Sequence, residues 1–303
     1  MKKHISHLLP AILLLALLSG CGSKPAPVQE TPAPAAGTEA ADTAILVVSF
    51  GTSYNDSRDI TIGAVEAAIG EAFPQYEVRR AFTSQIIIDK LAQRDGLEID
   101  NVTEALDRAA ADGIKNLIVQ PTHLMDGLEY TDVVKELDGY SDVFDQIVLG
   151  TPLLTSDEDF EAVISAITAD TAGYDDGETA VVFMGHGTEA DSNAVYAKLQ
   201  EMLAGEGYSN YYIGTVEAEP TLDDVIAALA GKGYTQVVLE PLMVVAGDHA
   251  NNDMAGDEED SWKSALAAEG YEVECVIHGL GENEAIRQIY VSHVQAAAAG
   301  LEG

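Results

Sequence analysis

Apolar positions fall into two alternating kinds of stretch. Compact runs rich in Val, Ile and Leu occupy residues 45–50, 114–120, 146–150, 180–184, 211–216, 236–240 and 273–277, each bounded by Gly, Asp or Pro. Runs so uniformly apolar predict strands buried on both faces, as in a parallel sheet. Between them apolar residues recur at helical spacing, and Ile60, Ala64, Val65, Ala68, Ile69, Ala72 and Phe73 mark one face of a predicted helix. Asn101 precedes Glu104 by three residues and Thr221 precedes Asp224 likewise, the form of a capping box at a helix start. Alternating strand and helix units predict an α/β fold of parallel sheets flanked by helices.

The pattern also repeats. The stretch ILVVSFGTSYNDS at 45–57 aligns with VVFMGHGTEADSN at 181–193, placing Gly51 on Gly187 and Thr52 on Thr188. The stretch NLIVQPTHLMDGLEY at 116–130 aligns with QVVLEPLMVVAGDHA at 236–250, placing Pro121 on Pro241 and Gly127 on Gly247. Two similar α/β domains are therefore expected, at 44–175 and 176–303. Both repeated motifs begin at the carboxyl ends of strands, where open α/β sheets bind ligands, so a cleft between the domains is the expected site.

The first 43 residues follow neither pattern. Lys2 and Lys3 precede an apolar run at 8–18, and Leu18-Ser19-Gly20-Cys21 follows at once. Eleven residues are too few to cross a hydrocarbon core of about 30 Å, but they suit the centre of a signal peptide at 1–20. The L-S-G-C ending resembles a bacterial lipobox, which implies cleavage before Cys21, lipidation of its sulfur, and an exported, lipid-anchored protein held to the cell membrane outside the cytoplasm. The stretch after it holds four of the ten prolines and almost no large apolar side chain, and 21–43 reads as the lipidated Cys with a Pro/Ala-rich tether.

Composition narrows the function. Fifteen Lys and Arg stand against 51 Asp and Glu, a formal net charge of −36, which excludes the basic footprint of a nucleic-acid binder and leaves the lipid anchor as the expected membrane contact. Cys21 and Cys275 are the two cysteines, too few for a disulfide framework or a Cys-based metal centre, so a bound metal must use His and carboxylate.

Such residues occur at the predicted strand ends. His186 follows a strand run within G-H-G-T, Glu217 ends the next in I-G-T-V-E, and His249 follows a third in A-G-D-H. Their separations of 31 and 32 residues are each about one βα unit, so three adjacent strands would present His, Glu and His on one rim. Two imidazoles and a carboxylate suit a divalent ion such as Co²⁺, Ni²⁺, Fe²⁺ or Zn²⁺. Taken singly, each residue fits a structural role at a strand end as well. His278 and Cys275 on the last strand, Trp262 on a following helix and His293 on the C-terminal amphipathic stretch read as packing or surface residues.

Together V-Q-P-T-H-L-M-D-G-L-E-Y at 119–130, F-M-G-H-G-T at 183–188, G-T-V-E at 214–217 and P-L-M-V-V-A-G-D-H-A-N-N-D-M at 241–254 resemble the anaerobic sirohydrochlorin cobaltochelatases of the CbiK family, class II chelatases of cobalamin biosynthesis. The resemblance implies two chelatase-like domains around a tetrapyrrole cleft, insertion of Co²⁺ or another divalent metal into sirohydrochlorin, and no organic cofactor. It also implies that His186, Glu217 and His249 hold the metal and that His186 and Glu129 are catalytic, Glu129 approaching from the first half at the repeat position of His249. His123 matches a family position as well, and a structural role suits it nearly as well. Sirohydrochlorin carries eight carboxylates, so local donors are required in so acidic a chain. Arg58, Arg79, Arg80, Lys90 and Arg94, with the backbone N–H groups from Thr52 to Asn55, are the candidates, and Thr52, Ser53, His123 and Arg58 are the expected substrate-binding residues. An exported chelatase suggests a metal or tetrapyrrole transporter as partner, and its alternative is an exported haem, tetrapyrrole or metal carrier without turnover.

Overall fold

The computed structural model describes residues 42–301; the expected signal peptide, Cys21 and nearly all of the expected tether lie outside the described residues. The first four strands, β1 (Thr43–Ser49), β2 (Glu77–Phe82), β3 (Asn116–Pro121) and β4 (Gln146–Leu149), form a parallel sheet in the order β2-β1-β3-β4. A second parallel sheet repeats this arrangement with β5 (Thr179–Gly185), β6 (Tyr211–Thr215), β7 (Gln236–Pro241) and β8 (Glu272–Cys275) in the order β6-β5-β7-β8. The central strands β1 and β5 are buried almost throughout, as their unbroken apolar runs require. The internal repeat is thus a repeat of strand order as well as of sequence.

The helices in chain order are α1 (Asn55–Ile60), α2 (Ile62–Ala72), α3 (Gln85–Asp95), α4 (Val102–Ala111), α5 (Leu128–Asp138), α6 (Asp157–Asp170), α7 (Ala194–Gly205), α8 (Leu222–Leu229), α9 (Trp262–Ala268) and α10 (Glu284–Ala298). Both expected capping boxes form: Asn101 Oδ1 accepts from Glu104 N–H at 2.9 Å, and Thr221 Oγ1 accepts from Asp224 N–H at 3.3 Å. The helix expected to include Ile60 is instead broken at Thr61. That residue is fully buried, and a Cβ on Gly281 of the second half would come within 3.0 Å of it, so the kink admits a neighbouring turn. Ile60 lies on α1 and is exposed.

Strand β2, Glu-Val-Arg-Arg-Ala-Phe, gave no apolar signal. As an edge strand it keeps its charges, which guard against edge pairing, and ion pairs hold them: Arg79 with Glu77 at 2.9 Å and with Asp112 at 2.7 Å, Arg80 Nε with Glu66 at 2.7 Å. These two arginines, expected as carboxylate donors for the substrate, are spent on local acids.

The boundary expected between residues 175 and 176 falls just before β5, yet the lobes share one core. Ile45 and Ile118 of the first sheet, Phe160 and Ile164 of α6, Val181 and Phe183 of the second sheet and Ile286 and Tyr290 of α10 form one buried cluster. Helix α10 follows the second sheet but packs on α2, α6 and β3. Tyr290 Oη donates to Thr122 O at 3.0 Å, and His293 meets Thr151 O at 3.0 Å and Asp159 Oδ1 at 2.9 Å. His293, unremarkable in sequence, is thereby a buried joint between the lobes.

Burial would raise the Asp159 carboxyl, but hydrogen bonds from Ser156 and His293 outweigh it and hold the group below the usual carboxylate range. A carboxylate depressed in the folded state stabilises above its unfolded pKa of about 3.9 and loses that contribution as pH falls through the lower folded value. Asp159→Asn is expected to flatten the stability decline below about pH 4, read by urea unfolding across pH.

Candidate functional site

At the carboxyl end of β5 the chain turns through Gly185-His186-Gly187. Gly187 has φ of +85°, and a Cβ there would approach Ala218 N within 2.8 Å, so only glycine lets the loop pass. Its repeat partner Gly51 has φ of +99° and faces the Phe82 ring. The following threonines act alike: Thr52 Oγ1 accepts from Tyr54 N–H and Thr188 Oγ1 from Ala190 N–H, both at 3.2 Å.

Strand order now explains the polar rim. Strands β6, β5 and β7 are neighbours, and their ends carry Glu217, His186 and the turn that bears His249. One donor atom from each of the three lies within 4.8 Å of the others. The two imidazole rings meet edge-on at 4.8 Å between centroids, and His186 Nδ1 lies 3.8 Å from Glu217 Oε2. Donors about 2.1 Å from one ion stand at most about 4.2 Å apart, a contraction that side-chain torsions of these solvent-facing groups supply.

Hydrogen bonds fix which ring atom is offered. His249 Nδ1 contacts Asp253 Oδ2 at 2.6 Å, and His186 Nδ1 contacts Gly187 O at 2.8 Å. Because carboxylate and carbonyl oxygens only accept, each Nδ1 carries the proton and each Nε2 lone pair is left for a metal. A wide helical turn at Ala250–Met254 brings Asp253 back beneath His249, and such turns recur at functional sites. The same turn reaches the first lobe, where Tyr54 Oη donates to Asp248 Oδ1 at 3.2 Å.

These residues border a cleft of about 640 Å³ between the lobes, within the size range of small-molecule sites. Phe50, Leu124, Met125, Leu128, Val244 and Val245 supply apolar walls suited to the face of a flat ring. Glu129, on the first turn of α5, and His123 stand on the wall opposite His186. Burial raises the Glu129 carboxyl, His186 partly offsets this, and Asp132 adds to it. His123 Nε2 lies 3.6 Å from Glu129 Oε2, beyond hydrogen-bond reach, and neither ring nitrogen has a partner although the side chain is only 9% exposed. Burial pushes its pKa down to about 4, so the ring is neutral near pH 7.

The other sequence candidates divide. Thr52 and Ser53 line the cleft. Arg58 does not: it is buried in α1, with Nη1 on Asn55 at 2.8 Å and Nη2 on Asp59 at 3.3 Å, so its charge is committed to its own helix. Trp262 packs in the core with Met254 and Leu266. Sequence reading missed Asp253, which stands one helical turn after His249 in D-H-A-N-N-D, and Tyr196, whose hydroxyl accepts from Gly187 N–H at 3.3 Å.

The sequence family described as "Cobalt chelatase (CbiK)" matches residues 43–299. A sirohydrochlorin cobaltochelatase of Salmonella typhimurium is 42% identical over 254 residues, covering 84% of this chain and 96% of that protein. Sirohydrochlorin cobaltochelatase CbiKC of Nitratidesulfovibrio vulgaris is 34% identical, covering 85% and 91%. Among solved structures, SirB from Bacillus subtilis with Fe³⁺ superposes with a TM-score of 0.59 at 15% identity over 86% of this chain and 97% of that one. CbiX, described as the terminal enzyme of siroheme biosynthesis in denitrifying bacteria, gives 0.52 at 18% identity over 84% and 99%.

Proposed function

The chain belongs to the CbiK cobalt chelatase family, and from that premise we infer that it is a sirohydrochlorin cobaltochelatase acting in anaerobic cobalamin synthesis. The observation that carries the reading is the meeting of His186, Glu217 and His249 on the rim of a ring-sized apolar cleft. Co²⁺ is a substrate here, and no organic cofactor enters the reaction.

Insertion requires the macrocycle to lose two pyrrole N–H protons, the metal to shed water, and a nitrogen lone pair to be exposed. The apolar walls hold the ring so that one face looks toward the two imidazoles and Glu217. Nε2 of His186 and of His249, with the Glu217 carboxylate, take the incoming ion and leave its remaining positions open toward the ring. Glu129 accepts one pyrrole proton, since a carboxyl raised by burial works as a base nearer neutral pH, and His186 takes the other on Nε2 once that atom has released the ion to the ring. His123 borders the cleft with a neutral ring whose two nitrogens are buried and unpartnered, and a substrate N–H or carboxyl group would satisfy one of them where the ring turns toward the cleft. Thr52 and Ser53 border the ring from the first lobe.

The reading is tested by following the absorption spectrum of sirohydrochlorin with excess Co²⁺. Many equivalents converted per protein support the chelatase, whereas a shift that stops at one equivalent supports a carrier.

The protein acts outside the cytoplasm on a lipid anchor at Cys21, a reading supported by the basic start, the short apolar run and the L-S-G-C ending. Among the described residues no helix is long and apolar enough to cross a membrane. Cys21→Ala is expected to abolish incorporation of labelled palmitate in a bacterial host. Equal labelling of parent and variant would remove the anchor. An exported chelatase would exchange metal or tetrapyrrole with a transporter.

A further inference from the structure

The cleft poses an electrostatic problem. It is lined by Glu129, Glu189, Glu217 and Asp248 and by no Lys or Arg, whereas sirohydrochlorin brings eight carboxylates. At the short distances inside such a cleft, like charges repel strongly unless cations stand nearby.

A second hollow of about 640 Å³ adjoins the cleft, and Ser53 and Tyr54 line both. It contains Lys90 and Arg94, one turn apart on α3, with the side-chain amides of Asn55 and Asn251 and, from the second lobe, Ile277. Two cations spaced i to i+4 repel each other, an arrangement that adds nothing to helix stability. Among the described residues, Lys90 and Lys232 are the Lys and Arg side chains with no hydrogen-bond or ion-pair partner. Arg94 is ion-paired with Asp95 through Nε and Nη2 and also donates to Asn55, so its charge is balanced locally and Lys90 is the uncompensated cation, but Arg94 Nη1 is left without a partner to donate to an incoming carboxylate. The acids at the hollow are Asp56 and Glu282, and the latter is turned to its own backbone, accepting from Gly279 N–H at 2.8 Å.

We propose that this hollow is a carboxylate subsite, in which Lys90 and Arg94 receive acidic side chains from the edge of the tetrapyrrole while its ring lies in the adjoining cleft. The inference rests on the chelatase reading and identifies where an octa-anionic substrate finds its counter-charge. It assigns to α3 a part in selecting carboxylate-rich macrocycles over ones with apolar edges.

The test uses the full-length protein with Lys90→Ala, Lys90→Ala/Arg94→Ala, Lys90→Arg and, as a control that removes a positive charge elsewhere, Lys232→Ala. Binding of metal-free sirohydrochlorin is titrated by absorbance, and steady-state insertion of Co²⁺ is followed in parallel. The double variant is expected to bind about tenfold more weakly and to raise KM likewise, because charged hydrogen bonds are lost. Its kcat at saturation and its Co²⁺ affinity remain parental, Lys90→Arg restores binding, and the loss shrinks as salt screens the pair. Binding by Lys90→Ala/Arg94→Ala indistinguishable from Lys232→Ala overturns the subsite. Because that titration needs no metal, failure of the parent to turn over Co²⁺ would overturn the chelatase reading alone.

Discussion

Replacing His186 by alanine is expected to lower kcat/KM for cobalt insertion by on the order of 10³-fold, about 4 kcal/mol of transition-state stabilisation, while sirohydrochlorin still binds. The residue stands at the meeting of two requirements. It supplies one of three donor atoms around the metal position, and its ring faces the cleft where pyrrole protons must leave. Alanine leaves Glu217 and His249 as a two-donor set, which holds a hydrated first-row ion weakly and places it without precision. The cleft walls that carry the macrocycle, Phe50 and Leu128 among them, are untouched, so the split between lost turnover and kept binding separates this role from general damage. Isothermal titration with Co²⁺ in the absence of tetrapyrrole supplies the second readout, and a parental metal affinity in the variant would remove His186 from the ligand set. The loop tolerates the change, because the turn depends on the glycines at 185 and 187 rather than on the imidazole.

What could be read from sequence follows the kind of interaction that fixes each part. The central strands β1, β3, β5 and β7 announce themselves because a strand covered on both faces needs apolar residues almost throughout, whereas the edge strands β4 and β8, expected to be buried on both faces as well, are partly exposed and β8 carries Glu272 and Glu274. The His186, Glu217 and His249 rim was legible because strand ends are read from those runs and adjacent βα units bring their ends together. Strand β2 was hidden because an edge strand may carry the charges that Arg79 and Arg80 bring, provided distant acids balance them, and Asp112 and Glu66 are not near in sequence. The same pairing removed both arginines, and Asn55 with Asp59 removed Arg58, from the expected carboxylate donors. Helix α10 packing on the first lobe, and with it the His293 to Asp159 contact 134 residues apart, has no local signature. Asp253 was within reach, since a carboxylate four residues after a ligand histidine is a pattern that its spacing alone suggests.

Glu129→Gln should lower kcat by about 10²- to 10³-fold, within the range for loss of a general base, with the pH dependence altered as well. Burial raises the Glu129 carboxyl chiefly because the ionised form is poorly hydrated against the apolar wall, and nearby Asp132 adds like charge while His186 opposes it. A base with a raised pKa is ionised and competent above that value and is lost as pH falls through it. The acid limb of kcat therefore sits above the ordinary carboxylate value of about 4.3. Glutamine keeps the shape and cannot accept the proton, so the surviving rate should show no such limb. His123 sharpens the comparison, since its neutral ring, 3.6 Å from Glu129, favours neither charge state strongly, and His123→Gln should shift binding of sirohydrochlorin more than the limb. A Glu129→Gln protein with parental kcat and an unmoved acid limb would transfer proton acceptance to the metal-bearing wall, where His186 alone would have to take both protons in turn.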